Sequence, residues 1–401
     1  MTAKTVTQKD IAKELGISQS AVAAALGKIS EASTLRVSKR LRQRICRAAE
    51  RLGYSPNRMA QAMRTQKTQT IGLLFPNLRT EIHNLKLEAL EQALDRRGYQ
   101  AMIGMTHGDE DRMLDYVKMM TERWVDGILF MGGEPAVKTE ILFSLLARRR
   151  TPCVMVDPLN WIGKLPRVCV DREGGMAQLT RHLWEIGHRD FLFLSKPGDV
   201  ASKIKGRGLA RVVENFNRAA QSVRLRWAPS DARGWRPFQE MEAALSQNYD
   251  PLAAEKEAYH KAQEVACWPD RPTVVVAPSD ALAMAFIQGI NNAGLRVPRD
   301  LAVTGFDDGN NARYCEVPLT TVAQPREELA AAVVGMLMTL VDGKPLESFE
   351  ARVPCRLVVR QSCRSPAVAR LRATRNSTVD AASNAHILSK TSELLTCGAI
   401  P

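Results

Sequence analysis

With 401 residues, 45% of them apolar and 25% charged, the chain is long enough for two or three globular domains and too apolar to be wholly disordered or fibrous. Its formal charge of +13 is confined to the ends: residues 1–70 hold 14 Lys/Arg against 4 Asp/Glu, residues 364–401 hold 5 against 2, and the 37 of each sign between them cancel. A basic block on a neutral globule points to a polyanion, most often nucleic acid.

The opening MTAKTVTQKD has no apolar h-region and no apolar run is long enough to span a bilayer, so neither a secretory leader nor a membrane contact is expected. The eight cysteines lack CxxC pairs or ligand-spaced histidines, which argues for reduced thiols rather than disulfide or zinc frameworks. A cytoplasmic protein is expected.

The first 55 residues predict short helices. Ile11 with Leu15 and Val22 with Leu26 are each four apart and share a helical face. Between them Gly16 can take the positive φ that ends one helix, and Ser18 can cap the next. Thr7 with Asp10 resembles a capping arrangement. In a third helix Val37, Leu41, Ile45, Ala49 and Leu52 form one stripe, with Lys39, Arg40, Arg42, Arg44, Arg47 and Arg51 around it. This spacing favours a helix-turn-helix over the alternative of a plain helical bundle with a solvated face.

Ser55-Pro56 suits an N-cap and first helical position, so 57–64 predicts two helical turns. A helix this short needs a partner to be stable. TQKTQT reads as a linker.

From Thr70 the pattern changes. TIGLLFP, YQAMIGM, VDGILFMG, PCVMVDP, DFLFLS, PTVVVAPS and LAVTGFDD read as buried strands, alternating with amphipathic stretches such as NLKLEALEQALDRRG, RMLDYVKMMTERW, GGMAQLTRHLWEIGH and DALAMAFIQGINNAG. That alternation predicts α/β architecture with doubly wound parallel sheets, and its length predicts two lobes. Ligands bind outside the carboxyl ends of such strands, here Pro76-Asn77, Met131-Gly132, Asp157, Ser195, Ser279-Asp280 and Asp307-Asp308. An aspartate there serves either a polyol or a helix cap.

Residues 219–268 carry Trp227, Trp235 and Trp268, suited to ligand stacking or to packing, with helical character over 237–264. RVPCRLVVRQS reads as one strand-like run. The tail beyond it is polar and expected to be disordered. No GxxxxGK[ST], GxSxG or HExxH motif is present, and His182 and His188, six apart, do not share a face at metal spacing, so no catalytic or metal-binding residue and no cofactor is assigned.

In order along the chain, TQKDIAKELGISQSAV, RICRAAERLGYSPNRMAQAM, TIGLLFP, GHRDFLFL, AGLRVPRDLAVTGFDD, PLTTVAQP and LVVRQS resemble the LacI/GalR (lactose-repressor) family of transcription regulators over about residues 5–363. The resemblance implies an all-α helix-turn-helix headpiece (1–55), a hinge helix and linker (56–69), and a two-lobed periplasmic-binding-protein-like effector domain that also dimerises (70–363), followed by the tail (364–401). It assigns Thr7, Ser18, Gln19, Ser20 and Ala24 to DNA contact, the last three where the recognition helix faces bases. Gln can pair with adenine and Ser with either groove edge. It assigns Asn57, Ala60 and Met63 to the hinge, with Met63 as the wedge that kinks the minor groove. Family members commonly carry Thr, Val, Ser and a basic residue where this chain has Ala21, Val22, Ala23 and Ala24, which leaves fewer base-reading groups.

Asn77, His83, Asp157, Lys205, Ser279 and Asp307 are the implied effector contacts. Lys205 stands in a stretch where members usually carry Arg, a point charge in place of a planar fork. The expected function is a homodimeric, ligand-responsive operator-binding regulator, by family habit a repressor, acting on pseudo-palindromic duplex DNA in the cytoplasm at the nucleoid and controlled by a sugar or related metabolite. The alternative is a sugar receptor without a DNA role.

Overall fold

In the computed structural model, residues 6–26, 37–54, 67–131, 139–159, 165–195, 199–219, 221–228 and 251–364 are described. The expected hinge helix with Asn57, Ala60 and Met63, Trp235 and the tail beyond Arg364 lie outside them. The chain divides into two units, Met1–Thr68 and Gln69–Pro401.

The first unit contains α1 (Gln8–Leu15), α2 (Gln19–Leu26) and α3 (Lys39–Leu52). Asp10 begins α1 by accepting from both the Thr7 N–H (2.8 Å) and the Thr7 hydroxyl (2.7 Å), and Gly16 ends it at φ 65°. Ser18 accepts from the Ala21 N–H at the start of α2, and Ser38 from the Leu41 N–H at the start of α3. The expected stripe closes the core: Ile11, Val22 and Ile45 are fully buried, with Ala12, Ala25, Ala48 and Ala49 small enough to let the helices approach.

The second unit holds two parallel sheets. The first has strand order β11-β5-β4-β3-β1-β2, from β1 (Thr70–Phe75), β2 (Gln100–Met105), β3 (Gly127–Met131), β4 (Cys153–Val156), β5 (Arg167–Asp171) and β11 (Glu350–Pro354). The second is β7-β6-β8-β9, from β6 (Asp190–Leu194), β7 (Arg224–Ala228), β8 (Val274–Val276) and β9 (Ala302–Thr304). Every pairing within these sheets is parallel.

Strand alternation separates two layers on the first sheet. Ile71, Leu73 and Phe75 pack with α4 (Glu81–Asp95) and α12 (Arg326–Val341), whereas Leu74, Ile128 and Phe130 pack with α5 (Glu110–Glu122) and α6 (Thr139–Arg149). The second sheet is covered by α7 (Arg172–Glu185) and α8 (Val200–Arg218) on one side, and by α9 (Pro251–Ala266) and α10 (Asp280–Asn292) on the other. After the short α11 (Asn311–Tyr314), β10 (Thr321–Ala323) pairs antiparallel with β12 (Arg356–Val358).

The strand-like run 352–362 is therefore two strands. It breaks at Cys355, β11 joining the first sheet and β12 the small one. The segment 219–268 supplies β7, and Trp227 packs edge-on to Phe193 at 5.1 Å, a packing role. β5, β7 and β10 had no strand reading: β5 and β7 are half-buried, and β10 is only three residues long.

Candidate functional site

Between the two sheets lies a cavity of about 720 Å³ at the carboxyl ends of their strands. His83, Asp157, Lys205, Ser279 and Asp307 all line it, though they come from five separate segments. Asn77 does not. Its side chain accepts from the Arg79 N–H and its carbonyl lies 3.2 Å from His83 Nδ1, so it holds the loop that carries His83.

Asp157, at positive φ just after β4, is buried. Its Oδ1 accepts from the Val170 N–H (3.0 Å) and Arg172 Nη1 (2.6 Å), and its Oδ2 from Lys86 Nζ (2.5 Å) and Arg172 Nη2. Burial opposes ionisation, but Arg172 and Lys86 outweigh it and hold the carboxyl below the usual carboxylate range. With four hydrogen bonds made, Asp157 positions two cations against the cleft. Burial lowers the Lys86 pKa, and Asp157 opposes that shift; for Arg172, the same carboxylate overrides burial and raises it.

Opposite, Lys205 donates to the Pro278 carbonyl at 2.6 Å, lies 4.0 Å above the Phe306 ring and stands 3.5 Å from Asp307 Oδ1. Asp307, at φ 121°, also accepts from Gln324 Nε2 at 2.6 Å. A non-glycine residue there is strained, a cost that concentrates at functional sites. Gln324 Oε1 and Arg172 Nε are buried and have no partner among the described residues. Ser279 caps α10 by accepting from the Leu282 N–H, and its own O–H remains a donor. Asp280 accepts from the Thr321 hydroxyl (2.5 Å) and the Gly309 N–H (2.8 Å); burial, then the Asp307 charge, pushes its pKa up to about 8. Burial and then Lys86 push His83 down to about 4, so it is neutral at pH 7.

The sequence reading missed Lys86, Arg172 and Gln324. Lys86 had a signal: it sits on the same α4 face as Ala89, Leu90 and Ala93, where a lysine interrupts an apolar stripe.

In the headpiece unit, Gln19 and Ser20 are exposed at the start of α2 and Ala24 is half-buried. Ser18 Oγ lies 3.0 Å from Ser20 Oγ, and Thr7 is exposed with its hydroxyl on Asp10. Arg42 from α3 donates to the Ala25 carbonyl at 3.1 Å and reaches that of Ala24 at 3.5 Å, tying down the last turn of α2.

A helix-turn-helix unit on the same chain as a two-lobed cleft defines a ligand-responsive DNA-binding transcription regulator, and comparison with known proteins supports this class. Residues 180–363 match the periplasmic binding protein-like domain. The chain is 30% identical over 359 residues to the HTH-type transcriptional repressor PurR of Erwinia tasmaniensis, covering 89% of this chain and 96% of that one, and 28% identical over 358 residues to PurR of Klebsiella pneumoniae, with the same coverage. Among solved structures it is similar to the Lac repressor dimer bound to operator and the anti-inducer ONPF, with TM-score 0.67 at 21% identity over 90% of this chain and 99% of that one. It is also similar to the transcription regulator GntR of Chromobacterium violaceum, with TM-score 0.58 at 26% identity over 73% of this chain and 98% of that one. The chain belongs to the LacI family. A receptor without a DNA role is set aside.

Proposed function

We propose that this protein is a repressor that holds a pseudo-palindromic operator as a homodimer and releases or tightens it when a small metabolite occupies the interlobe cleft. It acts by binding alone, on DNA in the cytoplasm. Gln19 and Ser20 read base edges, Ala24 contributes its methyl group, and Thr7 and Ser18 hold the helix ends; Asn57, Ala60 and Met63 form the hinge that enters the minor groove. The carrying observation is the cleft wall, where Lys205, Asp307, Ser279 and His83 present donors and acceptors to one cavity.

That mixture suits a sugar or related metabolite. Lys86 and Arg172 share the single carboxylate of Asp157 on one wall, while Glu81, Asp199, Asp280 and Asp307 line the same cavity. The test is a thermal-shift screen of sugars, sugar acids and nucleobases, followed by mobility shift on a palindromic site from the protein's own upstream region. A compound that raises the melting temperature and changes the shift is the expected result; no specific shift at moderate salt rejects the reading.

A further inference from the structure

The neutral charge balance of residues 71–363 conceals a segregation. At the strand-start end of the first sheet, opposite the cleft, the turns into β2, β3 and β4 carry Arg96 and Arg97, Arg123, and Arg148, Arg149 and Arg150, all exposed. None of these six guanidinium groups is ion-paired with a described residue. At the same end of β5, by contrast, Arg167 is paired with Glu350. Asp95, Glu122 and Asp126 are the acids nearby in sequence, and Asp126 accepts from the Gln69 N–H at 2.9 Å.

Three details mark the rim as built. Trp124 (φ 58°) and Arg150 (φ 49°) hold the left-handed conformation that follows a helix, a place filled by glycine at 98, 187, 294 and 343. Side chains are kept there against the backbone preference. Trp124 is 65% exposed, and the Arg149 guanidinium lies 4.3 Å over its ring, which orients the planar fork and leaves its edge N–H groups to donate. The third detail is connectivity. The strands beginning at this rim are consecutive in the sheet, β4-β3-β1-β2, and the chain arrives from the headpiece at Gln69 in their midst, hydrogen-bonded to Asp126 two residues beyond Trp124.

We propose that this rim is a second phosphate-binding surface, on the regulatory domain itself, that holds duplex DNA flanking the operator. The inference rests on the DNA-binding reading above. Arginine forks over consecutive strand starts give phosphate contacts without base readout, which suits flanking DNA of any sequence. They also compensate for a recognition helix poor in base-reading side chains.

The test compares full-length protein, wild type against R148S/R149S/R150S and R148K/R149K/R150K, on two duplexes. One carries only an operator selected by the wild-type chain from a random library; the other has the same operator with flanks on both sides. The serine variant should bind the flanked duplex roughly tenfold more weakly, with a salt slope shallower by about 2–3, because each phosphate contact contributes about 0.9 to that slope. On the bare operator it should match wild type, and the lysine variant, which keeps the charge without the fork, should match wild type there and fall between wild type and the serine variant on the flanked duplex. Equal binding of the flanked duplex by the serine variant overturns the proposal, even if that variant loses affinity for an acidic polypeptide. So does an equal loss on both duplexes. Failure of the wild type to select or bind any duplex instead rejects the DNA-binding reading beneath it.

Discussion

The Glu81 carboxylate accepts a hydrogen bond from the Asn310 N–H at 2.8 Å, across 229 positions of sequence. Glu81 opens α4, which packs on the first sheet, while Asn310 lies between β9 and α11 in the second lobe, so the bond joins the two lips of the cleft. A partly exposed bond of this kind contributes about 1 kcal/mol. Glu81→Ala should therefore shift the lobes toward the open arrangement and weaken effector binding by about fivefold. Distances between spin labels on the two lobes would report it, and an unchanged distribution would show that the contact does not govern closure.

Asp157 should be the most costly residue of the cleft to remove. Asp157→Ala strands Lys86 and Arg172 as buried unpaired cations, for which about 3–5 kcal/mol is expected. Asp307→Ala should cost much less, since Lys205 keeps the Pro278 carbonyl. Urea unfolding of both variants makes the comparison.

Lys205 and Asp307 should matter more for the ligand than for the fold. With an effector found by the thermal screen, Lys205→Met and Asp307→Ala should each abolish the ligand-induced rise in melting temperature and the change in operator affinity. A response equal to wild type would remove both residues from the effector site.

The cleft contains two titrations of opposite sign. Asp280, raised from 3.8 to about 8, stays protonated in the folded state while the unfolded carboxyl ionises, so stability present below pH 3.8 is lost progressively up to pH 8. His83, lowered from 6.5 to about 4, stays neutral in the folded state, so its contribution is full above pH 6.5 and lost as pH falls toward 4. The two slopes oppose each other between pH 4 and 6.5. Asp280→Asn should uncover a rise in stability over that interval, and His83→Gln a steady fall from pH 4 to 8, each approaching about 1.4 kcal/mol per pH unit at most. Denaturant midpoints across pH measure both slopes.

In the headpiece, Arg42→Ala should free the last turn of α2 by removing its bond to the Ala25 carbonyl, with a loss of about 1–2 kcal/mol. Operator affinity should drop while the unfolding transition of the regulatory domain stays in place. Calorimetry with a binding titration separates the two.

Much of this organisation is local and therefore readable. The Thr7–Asp10 cap and the Gly16 turn depend on neighbours within one helical turn, and the seven apolar runs match seven parallel strands because burial on both faces demands unbroken hydrophobicity. The half-buried β5 and β7 carry polar residues on one face and gave no such run.

The sequence by itself determined the short headpiece helices, the α/β alternation and the set of strand ends from which a cleft is made, since each is encoded in short-range periodicity. Tertiary structure alone decided which of those ends act together. Asp157 meets Lys86 and Arg172 across 71 and 15 residues, Lys205 meets Asp307 across 102, and six arginines from three turns share one rim. Those meetings depend on crossover hand and sheet order, which no local spacing specifies. They turn one strand-end aspartate into an anchor for cations, and a neutral stretch of chain into a surface with one strongly basic edge.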